Sequence, residues 1–429
     1  MQLQLKLWTG AGVCLALGAA PLASVATDAN AASSAIRFDS EGGEGGEGGG
    51  EAGGSAPAQY RLMLDASVDP AYDGAALASA YADNVQRAYV EAATAARGLQ
   101  GAIRAMLAQP DDESLARARR AWLQARRPYL ATEAFRFYDG PIDGPQTARR
   151  DAGPEPRLNA WPLNEAVIDY VQGDAQAGLV HSMDLPLTRE TVLARDQVSD
   201  EADVTTGWHA IEFLLWGQDL SADGPGARPA ADFASGTPAN ERRRDYLGIL
   251  ASQLVTDLDW LATQWKRDNP TGYAREFLAL EAHEAVGRML TGAALLAGHE
   301  LASERLAVAL DSGAQEDEQS CFSDSTWQDF VWGLAGIKRI YYGRGEAATL
   351  AGTLQRLAPR LAVDMEARFA EAERRVAALQ DPFDRIPVST PGSRERADAE
   401  AAVLALQRLA AGLRDSGRAL GVLVIVPGV

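Results

Sequence analysis

The sequence predicts an all-α fold of two four-helix-bundle-like halves. Three observations predict it. Apolar residues recur at helical steps through long stretches without internal proline, as over 76–108. Strand signals are almost absent. A stretch rich in Gly, Pro, Ala and Asp, 219–240, interrupts the helical pattern near the middle. Two bundles, 60–225 and 241–429 with 226–240 as linker, are the expected architecture. The halves are compatible with a diverged duplication, although no clean repeat is visible.

The elements follow in order. Residues 1–31 are expected to be a signal peptide. Lys6 supplies a positive start, 7–20 is an apolar run too short to span a membrane securely, and small residues follow at Ser24-Val25-Ala26 and Ala29-Asn30-Ala31. Cys14 lies inside that run. Residues 32–59, with Glu41, Glu44, Glu47 and Glu51 spaced by glycines, are expected to be a flexible Gly/Glu-rich linker. A helix over 76–108 is followed by Pro110-Asp111-Asp112, where Asp111 caps a second helix running past Trp122 toward Phe137. Residues 139–156 form a loop, and Trp161-Pro162 opens a short helix reaching Glu165. Further helices are expected over 205–216, 241–267, 272–310, 325–342, 347–379 and 395–416. The apolar run 420–426 is about one strand long.

Composition narrows the function. Lys plus Arg total 40 and Asp plus Glu 59 in 429 residues, a formal charge of −19. Such a surface is wrong for nucleic acid, which needs a basic face, and suits cations or neutral partners. The 47% hydrophobic content is that of a globular core. Once residues 1–31 are removed one cysteine remains, Cys321, so no intrachain disulfide can staple the fold. Cys321 has no histidine near it in sequence and is a weak nucleophile candidate.

The most informative segment is Gly207-Trp208-His209-Ala210-Ile211-Glu212-Phe213-Leu214-Leu215-Trp216. On a helix His209, Glu212, Phe213 and Trp216 share a face, so the imidazole and carboxylate are expected to be buried. A pair one turn apart can hold a transition metal, or it can be a structural hydrogen bond, which spacing alone favours. The second histidine of a zinc-protease HExxH is missing. A second stripe runs Val286, Leu290, Ala293, Ala297, Glu300, Glu304; its two carboxylates want a cation or an arginine, with Arg305 and Arg339 as candidates. Glu133 lies on the stripe of Trp122, Tyr129 and Phe137, and Glu165 follows the Trp161-Pro162 turn. Of the other histidines, His299 points away from Glu300, and His181 and His283 read as surface or packing residues. There is no Gly-rich phosphate loop and no nucleophile elbow.

Several stretches together resemble the imelysin family, most closely its iron-regulated protein A branch, labelled insulin-cleaving metalloproteinase-like. They are 132–143 (Thr-Glu-Ala-Phe-Arg-Phe-Tyr-Asp-Gly-Pro-Ile-Asp), 158–165 (Leu-Asn-Ala-Trp-Pro-Leu-Asn-Glu), the GxHxxE of Gly207, His209 and Glu212, Leu301-Ala302-Ser303-Glu304-Arg305, and Glu316 to Asp324 with its Cys-Phe-Ser-Asp. The resemblance covers roughly 60–420. It implies an all-helical fold, export to the periplasm or outer cell surface, expression tied to iron, and a metal at GxHxxE. Many relatives carry His where Gln319 and Trp327 stand, which leaves His209 as the one strong imidazole ligand. An oxygen-rich set from Glu133, Glu212, Glu300 and Asp324 would favour iron in hard-ligand form, manganese or calcium.

The leading expectation is an exported binding protein for iron or another divalent metal, or a metal complex, serving an outer- or inner-membrane iron transporter. His209, Glu212, Glu133 and Glu165 would be its metal residues, with Glu300, Glu304 and Asp324 as weaker candidates. A metallopeptidase with Glu212 in catalysis is the alternative. A metal-free helical scaffold is the second.

Overall fold

Helix α1 (Gly74–Ala108) begins where the Asp73 side chain accepts from Ala76 N at 2.8 Å. It buries Leu77, Tyr81, Val85, Ala92, Leu99, Ile103 and Met106 along one face, packed against α2 (Asp112–Leu130) and the later α7 (Pro238–Gln264). The chain is described by a computed structural model at residues 72–147, 150–221, 224–379, 383–424 and 426. The expected signal peptide and the linker up to residue 59 lie outside the described residues. The described residues all fall within one compact unit.

The cap expected at Asp111 is a reciprocal box. Ser114 N donates to Asp111 Oδ1 at 2.7 Å and Asp111 N donates to Ser114 Oγ at 3.0 Å. Helix α2 stops at Leu130, short of Phe137, and the chain tightens into a 3-10 turn, Glu133–Phe135. That turn lies so close to Gly292 that a Cβ there would sit 2.4 Å from Ala134 O. Only glycine permits the approach, and the approach carries Glu133 into the core.

Short helices α3 (Glu155–Asn159), α4 (Gly178–His181) and α5 (Arg189–Leu193) lead to α6 (Gly207–Trp216), every residue of which is buried. The helix expected at Trp161-Pro162 is replaced by a cis peptide and a later 3-10 turn, Glu165–Val167. Residues 226–240, read as a linker, hold buried Arg228 and Phe233, and Arg228 pairs with Asp169 at 2.7 Å. Helix α7 starts at Pro238 behind a Thr237 cap.

The single helix expected over 272–310 is broken. Helix α8 (Tyr273–Leu278) is followed by α9 (Ala282–Leu295), a π-helical segment Leu296–Ala307, and α10 (Val308–Ser312). Then come α11 (Thr326–Tyr342), α12 (Leu350–Leu357), α13 (Pro359–Ala377) and α14 (Arg394–Ala419), which packs on α13, α9 and the π segment. The expected helix 347–379 splits at Pro359, whose ring cannot continue the preceding ladder. Among the described residues the fold is all-α, with only isolated β-bridges at Thr147/Arg150 and Val171/Asp174. No described helix is long and apolar enough to cross a membrane.

Candidate functional site

Helix α6 is pinned through its length. Gly207 opens it with φ +84°, and a Cβ there would meet Leu158 O at 2.5 Å. Trp122 Nε1 donates to Trp208 O at 3.0 Å, and Arg119 caps Leu215 O at 3.0 and 3.1 Å. His209 and Glu212 therefore face inward, 1% and 0% exposed. His209 Nε2 lies 3.2 Å from Arg126 Nη2. A guanidinium can only donate, so Nε2 accepts and the proton belongs on Nδ1, which reaches Glu212 Oε2 at 2.9 Å. Burial, and then the fields of Arg126 and Arg305, hold the imidazole well below its ordinary pKa, so it is neutral. Glu212 Oε1 accepts from Ser323 N at 3.0 Å and Ser323 Oγ at 2.6 Å.

Burial lifts the Glu212 carboxyl from the ordinary 4.5 to about 8, against the pull of Ser323 and Arg126. The folded state thus holds a proton that the unfolded chain releases in acid. This contribution to stability is complete below the unfolded value and is lost as pH rises to about 8. Glu212→Gln cannot ionise. In chelator-treated protein its melting temperature is expected to gain on the wild type steadily from pH 5 to pH 8. An offset that stays constant across that range would show that Glu212 does not hold the proton.

Arg126 also donates from Nη1 to Asn159 Oδ1 at 2.9 Å and from Nε to Asp329 Oδ1 at 3.1 Å, and it stacks on Trp122 and Trp208. Asn159 Nδ2 donates to Glu133 Oε1 at 2.9 Å. Arg305 grips Glu133 in bidentate fashion, at 2.8 and 3.1 Å, and donates to Gln319 Oε1 at 2.8 Å and Glu300 Oε2 at 3.2 Å. Burial works to raise Glu300, but Arg305 and Arg136 hold it below its ordinary value.

The residues expected to bind metal at GxHxxE do not form a metal-ligand set in this geometry. Arg126 covers the free nitrogen of His209, and Arg305 covers both oxygens of Glu133. Glu165 is elsewhere: it accepts from Gln218, and burial with the nearby charges of Glu316 and Asp219 raises it. The stripe that joined Glu300 to Glu304 also dissolves. The wider turn of a π helix brings the residue five further on round toward the first, and here Arg305 reaches Glu300. Glu304 is exposed and faces His299 Nδ1 at 3.7 Å. Arg339 turns toward Glu91. Gln319, where the resemblance implied a histidine, serves as an acceptor for Arg305. Trp327 packs against the core. Burial raises the Cys321 thiol well above its ordinary value, which leaves it protonated and a poor nucleophile.

A second group lies beside this network. Asp219, just past the end of α6, Asp324, next to Ser323, and Asp384 each offer a carboxylate oxygen within 4.8 Å of the others. Asp324 and Asp384 are 7% and 5% exposed, and Asp219 is half-buried. Glu318, 2% exposed, joins them: burial first, then Asp384, Asp324 and Asp219, push its carboxyl up to about 10. Of these only Asp324 stood out in the sequence. Arg126 was not singled out, although its place on the Trp122–Tyr129 stripe is a signal that could have found it, whereas Asp219, Glu318 and Asp384 come from segments with no shared local signal.

The imelysin family model, which carries a peptidase label, matches residues 85–413. The iron-regulated protein A of Synechococcus elongatus is 25% identical over 340 residues, covering 76% of this chain and 80% of that protein. A solved structure described as an iron-regulated protein A precursor from Parabacteroides distasonis superposes with a TM-score of 0.65 at 19% identity, over 84% of this chain and 98% of that one. At that identity the superposition shows a shared fold. The family match spans most of the chain and includes both the buried α6 pair and the carboxylate group, and on it the chain belongs to the imelysin family.

Proposed function

We propose that this chain is an exported binding protein for iron, an accessory that presents the metal to a membrane transporter, and that it is not a peptidase. One observation carries the choice of binding over hydrolysis. Both ring nitrogens of His209 and both oxygens of Glu212 are engaged by protein groups, and one of those groups is the Arg126 cation. A hydrolytic metal needs an open position and a base beside its water; neither is available at this pair. The iron link is supported by the name of the Synechococcus relative. The charge of −19 and the oxygen-only carboxylate group are suited to a hard cation. Export is supported by the signal-peptide pattern of residues 6–31.

The test pairs two measurements on purified protein. Elemental analysis and calorimetry are expected to find iron bound near one per chain. Incubation with an unfolded protein substrate, with or without added zinc or iron, is expected to leave it intact. Cleavage that a chelator stops and Glu212→Gln abolishes would establish the peptidase instead. Absence of any bound metal would point to the scaffold.

A further inference from the structure

We propose that Asp219, Glu318, Asp324 and Asp384 are the cation site of this protein, built for a hard, oxygen-seeking ion of the iron, manganese or calcium class; this rests on the binding reading above and gives it an address.

Proximity of acids would not be enough on its own, since acidic groups gather on many surfaces. The deciding feature is Glu318. It is 2% exposed, and no amide, hydroxyl, amine or guanidinium donor among the described residues reaches either of its oxygens. What faces it are the carboxyls of Asp384, Asp324 and Asp219, with Asp384 in hydrogen-bonding contact. Elsewhere in this protein buried carboxylates are matched. Glu133 has Arg305 and Asn159, Asp329 has Arg126 and Ser320, and Asp169 has Arg228 and Arg243. A buried carboxyl without a donor is costly unless a proton or a cation compensates it. A divalent cation here would compensate Glu318 and reduce the repulsion it feels from the three aspartates.

The chemistry of the donors sets the class of ion. Four carboxyls and no imidazole or thiolate favour hard cations over zinc or copper. Half-buried Asp219 forms the open edge, and Glu165 and Glu316 add negative charge beside it. The site draws together three parts of the chain: the exit of α6, the turns between α10 and α11, and the 3-10 turn Phe383–Arg385. Phe213 against Phe322 and Phe330 stacked on Phe383 hold these parts in place. Glu212 becomes a positioning residue here. Through Ser323 N and Oγ it anchors the turn that carries Asp324.

The experiment strips the exported full chain with chelator. It then titrates anaerobic Fe(II), Mn(II) and Ca(II) by calorimetry in 0.15 M salt with excess Mg(II), following thermal unfolding alongside. Wild type is expected to bind one ion per chain and to melt higher when loaded. Glu318→Gln is expected to bind roughly tenfold more weakly, the lower end of what disturbing a ligand shell does, and Asp324→Asn/Asp384→Asn not at all. These amides relieve acid–acid repulsion, so both variants are expected to fold and, without metal, to melt no lower than wild type. Equal affinity in wild type and both variants would overturn this site while leaving a metal-binding protein. Binding by neither wild type nor variants, for any of the three ions, would overturn the binding reading as well.

Discussion

Replacing Arg126 with Met is expected to destabilise the fold by about 3–5 kcal/mol, the usual result of removing one partner from a buried charge pair. The size follows from what the guanidinium serves. It satisfies Asp329, Asn159 and His209 along three directions and lies over two indole faces. Without it Asp329, 1% exposed, keeps only the Ser320 hydroxyl. Arg126→Lys should recover little, because one ammonium cannot reach three separated acceptors. Denaturant unfolding measures the loss. A second reading comes from His209, whose low pKa is due to burial first and to Arg126 next; in the Met variant its NMR titration should move upward. A loss under about 1 kcal/mol, the scale of an exposed pair, would mean that water already reaches the network.

The helices were legible in the sequence because each buries one face, and a buried face leaves a period. Asp111 was legible because a cap is a contact across three residues. The inward His209 and Glu212 were legible on the same grounds, although their spacing did not reveal what they would meet. The π segment was not legible. An α period joins Glu300 to Glu304, and the wider turn that aligns Arg305 with Glu300 answers to a distant residue, Glu133. The carboxylate group is more remote still. Asp219, Glu318, Asp324 and Asp384 meet only after α6, α11 and the turn at Phe383 have packed, and no periodicity in one sequence reports such a meeting.

The division of labour between the two acidic groups can be tested at Arg305. Arg305→Met leaves Glu133 buried with one donor, Asn159, and leaves Glu300 with Arg136 at 3.9 Å and the field of His299. A loss of about 3–5 kcal/mol is expected. Glu133→Gln alone should also be harmful, since it takes the bidentate charged partner from a buried guanidinium and leaves it Glu300 and Gln319. The double variant Arg305→Met/Glu133→Gln should recover much of the loss, because removing both members of a buried pair is far less costly than removing one. A coupling energy of about 2 kcal/mol or more in the double-mutant cycle is the expected result. Metal binding supplies the contrast. If the cation sits among Asp219, Glu318, Asp324 and Asp384, the double variant keeps its affinity, since neither substituted residue belongs to that group. If Glu133 were a ligand, affinity would fall with Glu133→Gln and would not return in the double variant. Stability and affinity therefore separate at one pair of residues, and that separation is what a structural arginine–glutamate pair beside a carboxylate metal site requires.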